Sequence, residues 1–299
     1  MSSKLLKILV IVGPNSSGKT SLSIKLAKRF NGEIISADSR QVYKGMNLGT
    51  GKVTKKEMQG IRHYLLDVAS PKSRFSAGQF IKLGDKAIKQ ILKKGKLPIV
   101  CGGTGFYIDA LLYGLPKTVA PDWKLRQHFD RLSADALFMK LKKIDPARAK
   151  SIDKNNKRRL VRALEIALKT GAPVPPSPRT FKYDVLKLGV SRNKKELRKR
   201  IHDRLLARLK QGMVKEVEKL HKHGVSWKKL DDFGLEYRFI SRYLKGELSK
   251  EEMQIQLETA IWHYAKRQMT WFKRDKEIQW LNNEQKTQKI VKKWLFDKI

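Results

Sequence analysis

The sequence predicts an α/β fold, an open parallel sheet with flanking helices plus an all-helical insertion. Three observations carry that expectation. The apolar run Ile8-Leu9-Val10-Ile11-Val12 leads into a glycine-rich turn and then into helical spacing at 21–30, which is the order strand, turn, helix. Strand-like runs recur at 32–38, 62–68, 99–101 and 183–190, with helical spacing between several of them. From 116 to about 178 such runs disappear, and helical patterns rich in Lys and Arg take over. The expected division is a core of residues 1–115 and 180–299 and a helical insertion of residues 116–179.

The 299 residues carry 66 Lys and Arg against 28 Asp and Glu, a formal net charge of +38 spread along the whole chain. Self-repulsion of so much one-signed charge works against the compact state. A polyanionic partner, with nucleic acid leading, explains the excess. A salty cytoplasm or a basic bias of the host proteome is the alternative. The single cysteine, Cys101, excludes a disulfide framework and a cysteine-based zinc site. With no signal-peptide pattern at the start and no apolar run of membrane-spanning length, a cytoplasmic protein without membrane contact is expected.

The first turn reads Gly13-Pro14-Asn15-Ser16-Ser17-Gly18-Lys19-Thr20, the spacing of a P-loop in the strand-to-helix context it requires. Its glycines let the backbone curl so that successive N–H groups point at one anion, and the helix N-terminus adds its positive end. Lys19 supplies a mobile charge and the Thr20 hydroxyl a ligand for Mg²⁺. A phosphate or diphosphate therefore binds here, without the motif saying which molecule carries it.

Residues 32–38 predict a second short buried strand ending in Asp38. Ligands of open parallel sheets sit outside the carboxyl ends of strands, so Asp38 is expected on the P-loop rim. Capping a turn is its plainer role. Residues 39–52 are polar, glycine-rich and irregular, a loop over that rim. Residues 62–68 predict a third strand with His63 at its start; a lone histidine is more often structural than catalytic. The spacing of Phe80, Leu83, Ala87, Ile88, Ile91 and Leu92 predicts a helix over 75–94. The strand Ile99-Val100-Cys101 then enters Gly102-Gly103-Thr104-Gly105, where the backbone either approaches a ligand or turns tightly into a helix at 106–113. Walker-type ATPases usually end that strand in Asp, so the cysteine and glycine here argue against a conventional ATPase.

Helices are predicted at 123–132, 134–144 and 157–168. In the last, Leu160, Leu164, Ala167 and Leu168 share an apolar face. Arg158, Arg159 and Arg162 fall mostly elsewhere, facing either RNA phosphates or solvent. A proline-rich break at 171–178 precedes the strand at 183–190, a return to the first sheet. One long helix is predicted over 194–223, with Arg200 and Arg204 one turn apart. The C-terminal third reads as helical too. Around 264–274 basic residues interleave with aromatics, which suits a nucleic-acid surface or a helix docked through its aromatics.

This combination resembles the tRNA dimethylallyltransferases, also called tRNA isopentenyltransferases, over residues 13–280. The resemblance rests on the P-loop, on Asp38-Ser39-x-Gln41-Val42-Tyr43-Lys44-Gly45-Met46, on Gly49-Thr50-Gly51-Lys52 and on His63-Tyr64-Leu65-Leu66-Asp67. It continues through Gly102-Gly103-Thr104-Gly105-x-Tyr107, Arg159-Leu160-Val161-Arg162-Ala163-Leu164-Glu165 and Ala265-Lys266-Arg267-Gln268-x-Thr270-Trp271-Phe272. It implies a P-loop kinase-like core with a helical insertion that binds tRNA. The implied reaction moves a dimethylallyl group from dimethylallyl diphosphate to N6 of adenosine 37 in the anticodon stem-loop, which requires the base to leave its stack and enter a channel.

By the same resemblance, Gly13, Asn15, Ser16, Ser17, Gly18, Lys19 and Thr20 hold the donor's diphosphate, with Mg²⁺ at Thr20. Lys19, Thr20 and Arg204 stabilise the leaving group, Arg200 lies beside Arg204, and Asp38 is the general base. Asp38, Ser39, Arg40, Gln41, Thr104, Arg126, Arg158, Arg159, Leu160, Val161 and Arg162 match positions where the family contacts tRNA. His63 matches a family histidine, which implies that it lines the site. The implied protein is a bacterial-type monomer without the zinc-finger extension of some eukaryotic relatives. Two departures are Asn15-Ser16 for the usual Thr-Ala, and Gly234-Leu235-Glu236-Tyr237-Arg238 where the family reads Gly-Tyr followed by Lys or Arg. Two other classes compete. A small-molecule kinase acting on ATP leaves the charge unexplained, and an RNA-binding P-loop switch leaves Asp38 without a role.

Overall fold

The structure is a computed structural model and describes residues 5–116, 119–175, 182–281 and 284–296. The chain divides into two compact units, Met1–Leu112 with Phe181–Ile299, and Tyr113–Thr180. The first unit opens with β1 (Lys7–Val12), whose last five residues are all buried, and α1 (Lys19–Arg29). Then come β2 (Gly32–Ser36), α2 (Lys55–Met58), β3 (His63–Tyr64), α3 (Ala77–Lys93), β4 (Leu97–Gly102) and α4 (Gly105–Tyr113). Ser76 and Gln79 form a reciprocal capping box that sets the start of α3. The second unit holds α5 (Trp123–Asp130), α6 (Ala134–Ile144), α7 (Pro146–Ser151) and α8 (Lys157–Thr170), and no strand among its described residues. Back in the first unit are β5 (Asp184–Val190), α9 (Lys194–Lys210), α10 (Met213–Lys222), α11 (Trp227–Phe233), α12 (Leu235–Leu244), α13 (Lys250–Phe272), β6 (Gln279–Leu281) and α14 (Glu284–Phe296).

The strands form one six-stranded sheet in the order β3-β2-β4-β1-β5-β6, every pair parallel. Val12 stands opposite Gly102 and Gly189, and Ser36 opposite Cys101. The carboxyl ends of these strands therefore finish nearly level, and the turns that leave them share one rim. The chain runs from β1 past β4 to β2, and from β4 past β1 to β5. Connections from adjacent strands diverge there, which is the switch point where open α/β sheets bind ligands. Leu9, Ile11, Ile34, Ile99 and Leu188 pack with Ile24, Leu26 and Ala27 of α1 and Val291 of α14. Alternation turns Ile8 and Val10, also fully buried, to the other face. Burial on both faces is what an all-parallel sheet requires. A second core joins α9 to α13 through Leu197, Leu205, Val217, Ile240, Met253 and Ile261.

The α/β architecture, the return of residues 184–190 beside β1 and the all-helical character of the second unit match the sequence expectations. Four local features differ. The strand expected over 62–68 shrinks to His63–Tyr64 because Leu65 and Asp67 take left-handed backbone conformations, φ 64° and 56°. The helix expected over 194–223 breaks at Gly212, whose φ of 96° starts α10. The C-terminal third contains a strand, β6, beside β5. Residues 146–151 form α7, capped by Asp145 with Pro146 in its first turn. In α8, Leu160, Leu164 and Ala167 share the buried face as expected, but Leu168 is 49% exposed while Val161, Ala163 and Ile166 are buried. The proline-rich break lies partly outside the described residues. Among the described residues no helix is long and apolar enough to cross a membrane.

Candidate active site

The P-loop curls from β1 into α1 through Gly18, which caps the helix in the left-handed region at φ 97°. No side chain caps α1 and no acid sits in its first turn. Its leading N–H groups are thus open to an anion at the positive end of the helix. The Ser17 hydroxyl is fully buried and finds no partner among the described residues. The Lys19 ammonium donates to the Pro14 carbonyl at 3.3 Å. Burial lowers the Lys19 pKa; the charge of Asp38 opposes that shift, and Arg204 adds to it. Lysine, aspartate and arginine therefore share one electrostatic neighbourhood. Thr20 is exposed in the first turn.

Asp38 follows β2 by two residues. Its Oδ1 accepts the N–H groups of Arg40 at 2.8 Å and Gln41 at 3.3 Å, while Oδ2 takes no hydrogen bond from the described residues. This turn-capping geometry was the plainer expectation for Asp38, and it leaves one carboxylate oxygen unused. Thr104, just past β4, accepts the Ser39 N–H at 3.1 Å and donates its own N–H to the Ala37 carbonyl at 3.2 Å. A side chain on Gly102 would strike the Ala37 carbonyl, its Cβ 2.1 Å from the oxygen, so only glycine lets the two turns meet. Burial pushes the Tyr107 and Tyr264 phenols up to about 12, and the Asp38 charge adds to both shifts. Both stay protonated beside the acid.

Several expected contact residues have their groups engaged within the protein. Arg40 donates from Nε to the Phe233 carbonyl at 2.8 Å and lies over the Phe233 ring. Gln41 accepts from the Ser36 hydroxyl at 3.1 Å and reaches the Thr50 and Gly51 carbonyls. Arg204 donates to the Gly51 carbonyl at 3.0 Å, holding the polar loop against α9. Arg200 pairs with Glu196 at 3.0 Å. Its guanidinium also comes within 3.8 Å of where a Cβ on Gly18 would stand. His63 pairs opposite Ile34, two residues short of Ser36, on the sheet edge. Its Nδ1 meets the Ile61 carbonyl at 2.9 Å, Nε2 is buried without a partner among the described residues, and burial lowers its pKa. No described contact joins His63 to Lys19, Asp38 or Thr104.

The departure at Gly234-Leu235-Glu236-Tyr237 acquires a role. Glu216 of α10 accepts three consecutive loop N–H groups, from Asn47 at 2.9 Å, Leu48 at 2.7 Å and Gly49 at 2.9 Å. The buried Tyr237 hydroxyl donates to the same carboxylate at 2.9 Å. Glu236 holds Arg208 at 2.9 Å, and Arg208 donates to the Leu48 and Gly49 carbonyls. The segment thus clamps the rim loop that carries Gly51.

In the helical unit, Glu165 is fully buried and collects Arg126 from Nε at 2.8 Å and Nη2 at 2.6 Å, the Asp122 N–H at 2.6 Å, and Arg162. Burial alone would raise its pKa; the hydrogen bonds of Arg126 and Arg162 outweigh that and hold it low. Arg162 also donates to the Val119 carbonyl at 3.0 Å. The expected row of five contact residues divides by burial. Leu160 and Val161 lie in the hydrophobic core and Arg162 is tied to Glu165, which leaves Arg158 and Arg159 exposed.

Sequence reasoning missed Arg192 and gave Gln268 no role. Arg192 donates from Nε to the Ser17 carbonyl at 3.1 Å, and its guanidinium lies 3.5 Å from a Cβ placed on Gly18. Its position two residues past β5, at the rim, was the available signal. Gln268 joins the P-loop to the β4 turn, accepting from Asn15 N–H at 2.8 Å and donating to the Gly103 carbonyl at 3.0 Å.

Comparison with known proteins shows the family of the chain. The family model "IPP transferase" matches residues 41–275. A tRNA dimethylallyltransferase of Acetivibrio thermocellus is 41% identical over 95% of both chains. One of Citrifermentans bemidjiense is 45% identical over 89% of this chain and 86% of its own. Among solved structures, a tRNA isopentenylpyrophosphate transferase of Staphylococcus epidermidis superposes with a TM-score of 0.71 at 37% identity, covering 97% and 98% of the chains. A eukaryotic dimethylallyltransferase described as acting on tRNA gives 0.82 at 27% identity, covering 97% and 79%. With the family model and relatives across most of the chain in agreement, the chain belongs to the IPP transferase family of tRNA dimethylallyltransferases, which are prenyl-transferring enzymes.

Proposed function

We propose that the chain transfers a dimethylallyl group from dimethylallyl diphosphate to N6 of adenosine 37 in tRNA, with Asp38 as general base. The observation that carries this reading is the rim itself. An uncapped helix start and Lys19 share the rim with an aspartate whose Oδ2 takes no hydrogen bond from the described residues. The N6 lone pair attacks C1 of the donor, the C1–O bond to diphosphate breaks, and the N6 proton passes to Asp38 Oδ2. Charge grows on the departing diphosphate, where Lys19, the α1 N–H groups, Arg192 and Arg200 stabilise it. Arg204 acts beside them through the same electrostatic neighbourhood.

A hard divalent cation fits the P-loop at the Thr20 hydroxyl. Among the described residues no group of three or more His, Cys, Asp and Glu could hold an ion. The Thr20 hydroxyl would hold Mg²⁺ together with donor phosphate oxygens and water, a shared shell typical of this ion. When bound, it would neutralise part of the diphosphate charge. The exposed Arg158 and Arg159 of the helical unit serve tRNA phosphates.

The test is transfer of labelled dimethylallyl diphosphate, with Mg²⁺, to unmodified tRNA bearing adenosine 37, followed by digestion to nucleosides. N6-dimethylallyladenosine from that position is the expected product. ATP consumption, or RNA binding without prenyl product, would overturn the reading.

A further inference from the structure

Gln268 sits on α13 with 5% of its surface exposed. Both ends of its amide are engaged: Oε1 accepts the Asn15 N–H at 2.8 Å and Nε2 donates to the Gly103 carbonyl at 3.0 Å. One partner is a donor and the other an acceptor, so only one orientation of the amide satisfies both. The two partners lie on the turns that leave β1 and β4, the neighbouring strands of the switch point. From Gly103 the connection continues. Thr104 is the next residue, and it binds the Ser39 N–H at 3.1 Å and the Ala37 carbonyl at 3.2 Å, on either side of Asp38. Packing leaves little slack. A Cβ on Gly103 would stand 2.3 Å from Gln268 Nε2, and one on Gly105 would stand 2.2 Å from the Trp271 indole, so α13 rests directly on the β4 turn.

We infer that Gln268 is a positioning residue. It ties the diphosphate cradle to the loop of Asp38 and so fixes the distance between leaving group and base. This rests on the transfer reaction proposed above. A packing role alone would be met by an apolar side chain of the same length, whereas replacing the amide orphans two backbone groups at the two turns. Misplacing reacting groups by about 1 Å costs on the order of 10²-fold in rate.

The test uses Gln268→Met, which removes both bonds, and Gln268→Glu, which keeps an acceptor for Asn15 and loses the donor to Gly103. In the wild type, inorganic diphosphate with Mg²⁺ should slow amide hydrogen exchange in the P-loop and also at 38–41. Both variants should lose the slowing at 38–41, and Gln268→Glu carries the test if Gln268→Met does not fold. In transfer assays kcat should fall roughly 10- to 100-fold, with donor KM and tRNA dissociation within a few-fold of wild type. Persistence of the slowing at 38–41, or wild-type kcat in a folded variant, would overturn the inference. A wild-type protein that forms no prenyl product would instead sink the transfer reading, and the exchange measurement would still decide the strap.

Discussion

Two acid-centred clusters in this chain, around Asp38 on the sheet rim and around Glu165 in the helical unit, differ in what they leave unbonded. Glu165 is fully buried, and both its oxygens are taken by Arg126, Arg162 and the Asp122 N–H. Asp38 is half-buried, spends one oxygen on its own turn and keeps the other unbonded among the described residues. The arginines of the helical cluster look like phosphate ligands in sequence, and two of them, Arg126 and Arg162, are bonded to Glu165. On the proposed reading, chemistry belongs to the cluster with an open oxygen, and the number of basic residues does not identify it.

The comparison can be broken from either side. Lys19→Ala removes a charge from the rim and should cost about 10²- to 10³-fold in transfer rate, the scale for losing one group that stabilises developing charge. The melting temperature should barely move. Glu165→Gln should do the reverse. It leaves Arg126 and Arg162 without their carboxylate and should destabilise the helical unit by about 3 kcal/mol, the low end for breaking a buried pair because both arginines are partly exposed. Chemical denaturation checks it, and single-turnover transfer on the folded fraction should stay near wild type.

Arg158→Ala with Arg159→Ala should leave stability unchanged and weaken tRNA binding uniformly, lowering the slope of log affinity against log salt by about 1 to 2. An unchanged slope would assign both arginines to solvent. The smallest effect concerns Glu33, another satisfied carboxylate. Burial would raise its pKa, but hydrogen bonds from Tyr64, Lys96 and Lys94 hold it at about 2. A depressed carboxylate contributes stability above its unfolded pKa. That contribution is lost as pH falls from the ordinary carboxylate range through about 2. Glu33→Gln should flatten the acid limb of the stability profile without affecting transfer at neutral pH.

Much of this architecture was legible because its signals are local. The apolar run, the glycine turn and the helix start of residues 8–30 lie within a few residues of one another, and the strand-end rule put Asp38 beside them. What escaped depends on distant partners. β6 is a strand because β5 offers it an edge. Gly212 looked like one more residue of a long helix until its backbone conformation broke it. The Ala-Lys-Arg-Gln stretch stood out as a pattern, but the role of Gln268 appears only when α13 meets two turns more than 160 positions away. Arg126 was readable as a cation, whereas its capture by Glu165 follows from the packing of α5 on α8; the pairing of Arg162 with Glu165, three residues on in the same helix, is local.

The most direct test is the single-turnover rate of Asp38→Asn on saturating tRNA and dimethylallyl diphosphate, beside tRNA binding by the same variant. The amide keeps the turn-capping acceptor and removes the proton acceptor. The account predicts a rate lower by about 10²- to 10⁴-fold with tRNA affinity nearly intact. A rate within a few-fold of wild type would contradict it, because the free oxygen of Asp38 would then have no part in the chemistry.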